Sequence, residues 1–289
     1  METLTLADGT ELRLHAWPPT AARRGQVLIV HGLGEHAGRY AHVAAALNAQ
    51  GWQVNAYDQR GHGASTGARG ALPGAEALCE DLAAVIGRVR SGPGPFVLLG
   101  HSMGGLLAAR YVAEALAQKP ALWSRPVDAL VLSSPALEAD LTTAQKLQLA
   151  MAGTLAPNMA LGNGLKPEWV SRDPAVVRAY VADPLNHDRI TPRLARFIVD
   201  GGVLVRARAP QWRVPTLLMW AGADRCVAPA GSAAFAADAP KAVVQHRCFD
   251  GLAHEIFNEP EQAEVLSHLT RWLEGLTSPT APVAGPGGR

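Results

Sequence analysis

The sequence predicts an α/β fold built on a mostly parallel sheet, and three features point there. Short apolar runs recur at QVLIV (26–30), GWQVNAY (51–57), PFVLLG (95–100), DALVLSS (128–134), TLLMWAG (216–222) and AVVQHRCF (242–249). Runs this short and continuous suit strands buried on both faces, as in a parallel sheet. Segments of helical length separate them, at 38–49, 74–90, 103–118, 230–239 and 260–274. Such strand–helix alternation builds right-handed βαβ units. The third feature stands apart: residues 3–17 alternate in polarity around Asp8-Gly9, the dipeptide of a tight turn. An antiparallel hairpin is therefore expected ahead of the first βαβ unit.

Length and charge narrow the class. A chain of 289 residues can bury one large core and still carry an insertion. Lys and Arg number 26 against 25 Asp and Glu, a net charge of +1. No basic footprint for a nucleic acid follows from that balance. The three cysteines, Cys79, Cys226 and Cys248, are scattered and form no C-x-x-C pair. That pattern suits free thiols in a reducing compartment. The N-terminal stretch METLTLADGTELRLHAW has no basic and apolar regions of a secretory signal. No apolar run approaches the roughly 18 residues of a membrane span. A cytoplasmic protein is expected.

One stretch breaks the strand–helix rhythm. Residues 137–210 show no strand pattern but carry helical patches at 141–156 and 174–182 with proline-rich joints. A plain crossover needs only about a dozen residues, so this stretch reads as an inserted helical cap. The expected organisation is a core of residues 1–136 and 211–277, a cap at 137–210, and a Pro/Gly/Ala-rich, disordered tail at 278–289.

The chemistry centres on Gly100-His101-Ser102-Met103-Gly104, a G-x-S-x-G motif between an apolar strand and an amphipathic helix. That context makes the pattern specific. A serine in a sharp strand-to-helix turn projects its hydroxyl into a site beside the free N–H groups of a helix start, and small flanking residues let strand and helix approach. A serine hydroxyl needs a base that is itself held in place. Asp224 follows the strand TLLMWAG and His254 follows AVVQHRCF, so both lie at strand C-terminal ends in the order Ser, Asp, His. Ser102 is the expected nucleophile, His254 the base and Asp224 its orienting acid. Asp250 is the rival acid and reads as a turn residue; Glu255 reads as a loop carboxylate, with helping to orient the histidine as its alternative role. The oxyanion donors are assigned to the Met103 N–H and, in the loop His31-Gly32-Leu33-Gly34-Glu35-His36, the Leu33 N–H. An α/β-hydrolase fold follows, with a mostly parallel central sheet, the N-terminal hairpin, flanking helices and the inserted cap.

Two other classes compete. Gly32-x-Gly34-x-x-Ala37 opens a helix after a strand, and the next strand ends at Asp58, imitating a dinucleotide fingerprint with its ribose acid. An NAD(P)-dependent oxidoreductase is thus the alternative from another reaction class. A non-catalytic small-molecule-binding protein of the same fold is the third. No H-x-H, H-E-x-x-H or paired cysteines are present among the 10 histidines and 3 cysteines, so no metal site is expected.

Several stretches resemble the monoacylglycerol lipase and lysophospholipase group of α/β-hydrolases: HGLGEHAGRY (31–40), DQRGHGASTG (58–67), GHSMGG (100–105), SRDPAVVRAYVADPL (171–185), GADRCVAP (222–229) and DGLAHEIFNEPE (250–261). The resemblance runs from about Gln26 to about Leu273. It implies a lipophilic tunnel under the cap, no cofactor, and hydrolysis of acyl esters such as monoacylglycerols, with lysophospholipase or general carboxylesterase activity as alternatives. It carries the triad onto Ser102, Asp224 and His254 and the oxyanion donors onto Leu33 and Met103. The acyl chain is expected along Leu147, Met151 and Leu155 of the cap, which would also be the part to touch a membrane or micelle.

Overall fold

The computed structural model describes residues 2–139 and 141–277; the tail expected to be disordered lies outside them. The hairpin forms as the Asp8-Gly9 turn dictates. Strands β1 (Glu2–Thr5) and β2 (Glu11–Trp17) pair antiparallel, and Gly9 turns at φ +83°. Then come β3 (Gly25–Val30), α1 (Ala41–Asn48), β4 (Trp52–Tyr57), α2 (Ala77–Val89), β5 (Phe96–His101), α3 (Ser102–Ala115) and β6 (Ala129–Ser133). Between β6 and β9, the stretch expected to be an insertion holds α4 (Thr143–Leu155), β7 (Leu161–Gly162), α5 (Pro174–Ala182), β8 (Arg189–Ile190) and α6 (Pro192–Arg208). The chain ends with β9 (Thr216–Ala221), α7 (Pro229–Asp238), β10 (Val244–Phe249) and α8 (Gln262–Thr277).

Eight strands form one sheet in the order β1-β2-β4-β3-β5-β6-β9-β10, parallel from β4 to β10 and antiparallel through the hairpin. Both faces are covered, which explains the continuous apolar runs. Along β3, Leu28 and Val30 enter one core cluster while Val27 and Ile29 enter the other. In β5, Phe96 and Leu98 alternate in the same way with Val97 and Leu99. Helices α2, α3, α6 and α7 supply the first cluster, and α1 and α8 the second. The sheet matches the fold class expected from the sequence.

The insertion differs from expectation in two respects. β7 and β8 pair antiparallel where no strand was anticipated, because two residues are too few to show alternation. And α6 packs directly against α3: a Cβ on Gly201 would touch Leu106, and one on Gly202 would run into the Leu137 carbonyl. Among the described residues no helix is long and apolar enough to cross a membrane.

Candidate active site

Strands β3, β5, β9 and β10 run parallel, so the loops at their C-terminal ends gather along one edge of the sheet. Ser102 stands where β5 gives way to α3, at φ +55°, in the left-handed region that costs a non-glycine residue energy. The motif's glycines make that turn sterically feasible. A Cβ on Gly100 would run into the Gly104 carbonyl, and one on Gly104 into the carbonyls of Val30 and His31.

The three separate loops meet at His254. Its Nε2 lies 2.9 Å from Ser102 Oγ, and its Nδ1 lies 2.7 Å from Asp224 Oδ2. A carboxylate can only accept, so Nδ1–H donates to Asp224 and Nε2 is left to accept from the serine hydroxyl. Asp224 is itself held, because its Oδ1 accepts the N–H groups of Cys226 at 2.8 Å and Val227 at 3.1 Å. Burial alone would push the His254 imidazolium toward losing its proton. The charge and hydrogen bond of Asp224, aided by Glu255 and Glu35, outweigh it, and the pKa ends above the ordinary histidine value. Beside it lies His101, its ring 4.7 Å from that of His254; burial, then His254, push its pKa down to about 4, so it stays neutral.

The loop after β3 approaches Ser102 from the other side. A Cβ on Gly32 would stand 3.1 Å from the Ser102 Cβ. The N–H of Leu33 makes no hydrogen bond among the described residues, and that of Met103 sits in the first turn of α3, where no intrahelical carbonyl is available. Beside these two N–H groups lies a cavity of about 240 Å³, lined by Leu33, Ser102 and His254 and, from the stretch between β6 and β9, by Leu165, Tyr180 and Val181.

Residues 21–261 match the Hydrolase_4 family, described as serine aminopeptidase, S33. The chain belongs to the Hydrolase_4 family. The monoacylglycerol lipase of Mycolicibacterium smegmatis is 37% identical over 271 residues, covering 92% of this chain and 93% of that one. An uncharacterized abhydrolase domain-containing protein of Dictyostelium discoideum is 31% identical over 277 residues, covering 95% of this chain but spanning only 29% of the relative's length. A crystal structure of the monoacylglycerol lipase of Paleococcus ferrophilus superposes with a TM-score of 0.80 at 33% identity, over 92% of this chain and 100% of that one. This Hydrolase_4 chain is a serine hydrolase of the α/β-hydrolase superfamily, within its monoacylglycerol lipase group.

The dinucleotide alternative loses its acid in this Hydrolase_4 fold. Asp58, 1% exposed, spends its carboxylate on the N–H groups of Ala37 at 2.9 Å and Ala64 at 2.8 Å. The residues expected along the acyl chain lie away from this cavity. Leu147, Met151 and Leu155 are 64%, 55% and 80% exposed on α4, and none of them lines the cavity. Helix α4 lies along α6 and buries no side chain among those described, whereas the cavity is walled by irregular segments at 163–170 and by 180–188. Periodicity marks a helix as amphipathic without saying which opening it faces.

Of a set of buried charges around the triad, sequence reasoning singled out Glu255 alone. Glu35 and Arg39 form an i,i+4 pair at 2.7 Å that spacing alone could have suggested. Their link to Glu255, at a separation of 216 residues, carried no local signal. Glu259 is fully buried and accepts the N–H of Ala253, next to His254, at 2.8 Å, together with Ser171 Oγ at 2.7 Å and the Arg172 N–H at 2.6 Å.

Proposed function

We propose that this protein hydrolyses acyl monoesters, monoacylglycerols foremost, to a fatty acid and an alcohol through an acyl-enzyme on Ser102. The observation that carries the reading is the single imidazole that reaches Ser102 Oγ with one nitrogen and Asp224 with the other, beneath the cavity. His254 takes the hydroxyl proton as Ser102 Oγ attacks the ester carbonyl, and the oxyanion rests on the N–H groups of Leu33 and Met103. The protonated His254 then gives its proton to the leaving alkoxide. Water, deprotonated by His254, attacks the acyl-enzyme, and the carboxylic acid leaves as Ser102 recovers its proton. These steps use side chains and backbone only and need no cofactor or metal.

The cavity is smaller than the roughly 300–1,000 Å³ of drug-sized ligand pockets, so it holds the ester and the polar end of the substrate. A longer chain leaves through the mouth past Leu165 and Val181, which line the cavity and are 37% and 65% exposed. Glu35, Glu255, Asp183 and Asp188 line the cavity against one lysine, Lys166.

The insertion acts as a cap over this site, with its exposed apolar side chains Leu147, Met151, Leu155, Met159 and Leu161 forming the surface that meets a micelle or bilayer. The cysteines are free, in keeping with a cytoplasmic enzyme. The test is turnover of short- to long-chain nitrophenyl esters, 1-monoacylglycerol and lysophosphatidylcholine by the wild type beside Ser102→Ala. Monoacylglycerol turnover that vanishes in the variant is expected; a folded wild type inert toward every ester would overturn the reading.

A further inference from the structure

A chain of buried charges joins the two loops on which the reaction depends. Glu35 is 3% exposed, and its Oε1 accepts the Gly32 N–H at 2.6 Å and the Tyr40 hydroxyl at 2.7 Å. Its Oε2 accepts from Arg39 Nη1 at 2.7 Å. The same guanidinium turns its fork on Glu255, Nη1 to Oε1 at 2.5 Å and Nη2 to Oε2 at 2.7 Å. Glu255 immediately follows His254 and is 5% exposed. Asn258 Nδ2 adds a further donor to it at 2.9 Å, and Tyr180 of α5 lays its ring over the guanidinium at 4.9 Å.

The peptide on the far side of Gly32 is pinned as well. His31 Nε2 accepts the Gln59 N–H at 2.9 Å, which fixes the tautomer, so His31 Nδ1–H donates to the Gly32 carbonyl at 2.8 Å. With its N–H and carbonyl both held, Gly32 is fixed in orientation, and so is the following peptide that carries the N–H of Leu33, a residue lining the cavity. Two carboxylates and one arginine in near-complete burial would be costly as isolated charges. A bidentate fork is the geometry that satisfies both at once.

We propose that Glu35, Arg39 and Glu255 are positioning residues that tie the oxyanion loop to the loop bearing His254. The Leu33 N–H and His254 Nε2 are thereby held in register with Ser102 as one unit. The proposal rests on the hydrolase reading above for its assignment of the oxyanion donor. None of the three residues touches the reacting atoms, so their effect falls on the rate of the chemical step and not on ground-state binding.

The test is a double-mutant cycle with Glu35→Gln and Glu255→Gln, read in two ways. The first is kcat and KM on whichever ester the wild type turns over best. The second is the rate at which a fluorophosphonate labels Ser102, which needs the base and the oxyanion donors but no particular ester. Each single variant should lose about ten- to a hundredfold in kcat and labelling, as for a misplacement of about 1 Å, with KM within about threefold. Because the two residues act through one arginine, the double variant should fall no more than about threefold below the worse single variant. Single variants within about twofold of wild type, or losses that multiply in the double variant, would overturn the proposal. A purely structural role would lower the melting temperature and leave the labelling rate of the folded fraction unchanged. If a glutamine variant fails to fold, Arg39→Lys replaces it: the charge remains but the fork is gone, so the same loss is expected and a wild-type rate overturns the idea. A wild type that labels readily yet hydrolyses no monoester defeats the proposed substrate and leaves this inference to be judged on labelling alone.

Discussion

Gly104 packs its backbone against His31 so closely that a Cβ on the glycine would run into the His31 carbonyl oxygen. The helix that starts at Ser102 and the loop proposed to supply an oxyanion donor are therefore in direct backbone contact. Gly104→Ala must push one away from the other. An activity loss of about a hundredfold or more is expected, together with an overpacking cost of about 1–3 kcal/mol. Ester turnover and urea unfolding of the same preparation would check both, and an active Gly104→Ala would contradict the geometry.

Strain at the nucleophile gives a second expectation. Ser102 holds φ +55°, which glycine adopts without penalty. Ser102→Gly should be inactive, with kcat down on the order of 10⁴-fold or more. It should nevertheless be more stable than wild type, by roughly 0.5–1 kcal/mol, since the left-handed cost of about 1–2 kcal/mol is relieved and part of it returns as chain entropy. Thermal melting decides this; a destabilised Ser102→Gly would mean that the turn is not strained.

The pH dependence of His254 has two opposite readouts. As a base it must be neutral, so kcat/KM should fall as pH drops through a pKa lying above the ordinary histidine value. Stability runs the other way. The raised pKa means that His254 contributes fully below its unfolded value, and that the contribution is lost as pH rises through the folded pKa. Asp224→Asn removes the largest contribution raising that pKa and leaves an amide facing Nδ1, so the rate should drop on the order of 10⁴-fold and the acid limb should move to lower pH. A pH–rate profile with its acid limb below the ordinary histidine range in the wild type would count against the assigned base.

Glu259 is expected to matter to stability more than its distance from the chemistry suggests. Burial would raise its pKa, but hydrogen bonds from Ala253, Arg172 and Ser171 outweigh that and leave it below the ordinary glutamate value. Its contribution is present above that ordinary range and is lost as pH falls through the lowered folded value. Glu259→Ala strands the Ala253 and Arg172 N–H groups and should cost about 3 kcal/mol in urea unfolding at neutral pH. A change under about 0.5 kcal/mol would show that those groups are not held by this carboxylate.

The proposal that the exposed apolar face of α4 meets a micelle or bilayer separates presentation of substrate from chemistry. Replacing Leu147, Met151 and Leu155 together by serine should alter stability by less than about 1 kcal/mol, since none is buried. Turnover of a water-soluble short-chain ester should persist, while hydrolysis of monoacylglycerol presented in vesicles falls. Equal loss on both substrates would place the face in the chemistry after all.

Much of this architecture was legible because a doubly covered parallel sheet writes itself as short unbroken apolar runs, and β3 to β6 appear where those runs stand. The positions of Ser102, Asp224 and His254 were legible for a related reason: each lies in the turn or loop just beyond the C-terminal end of a strand, and the sheet topology brings parallel strand ends together. Helix α6 was harder to see. Gly201 and Gly202 weaken its helical signal, yet they are present because α6 lies against Leu106 and the Leu137 carbonyl. The cavity wall was harder still: apart from Tyr180 and Val181 at the end of α5, its side toward residues 163–188 comes from irregular segments whose polar residues show no periodicity. The contact of Arg39 with Glu255 depends on a closure that only the complete fold supplies.

The insertion is attached unevenly, and that has a consequence for how such a molecule can change. Residues 170–187 are stitched to the two reactive loops by Glu255 N–H to the Val170 carbonyl, His187 N–H to the Gly34 carbonyl, and His36 to Asp183, while α4 rests mainly on α6. Selection or engineering can therefore rewrite residues 143–165, lengthening, shortening or repainting the entrance, without disturbing a single hydrogen bond that aligns the triad. Altered appetite for chain length is the cheap mutation in this scaffold, and altered chemistry is the expensive one.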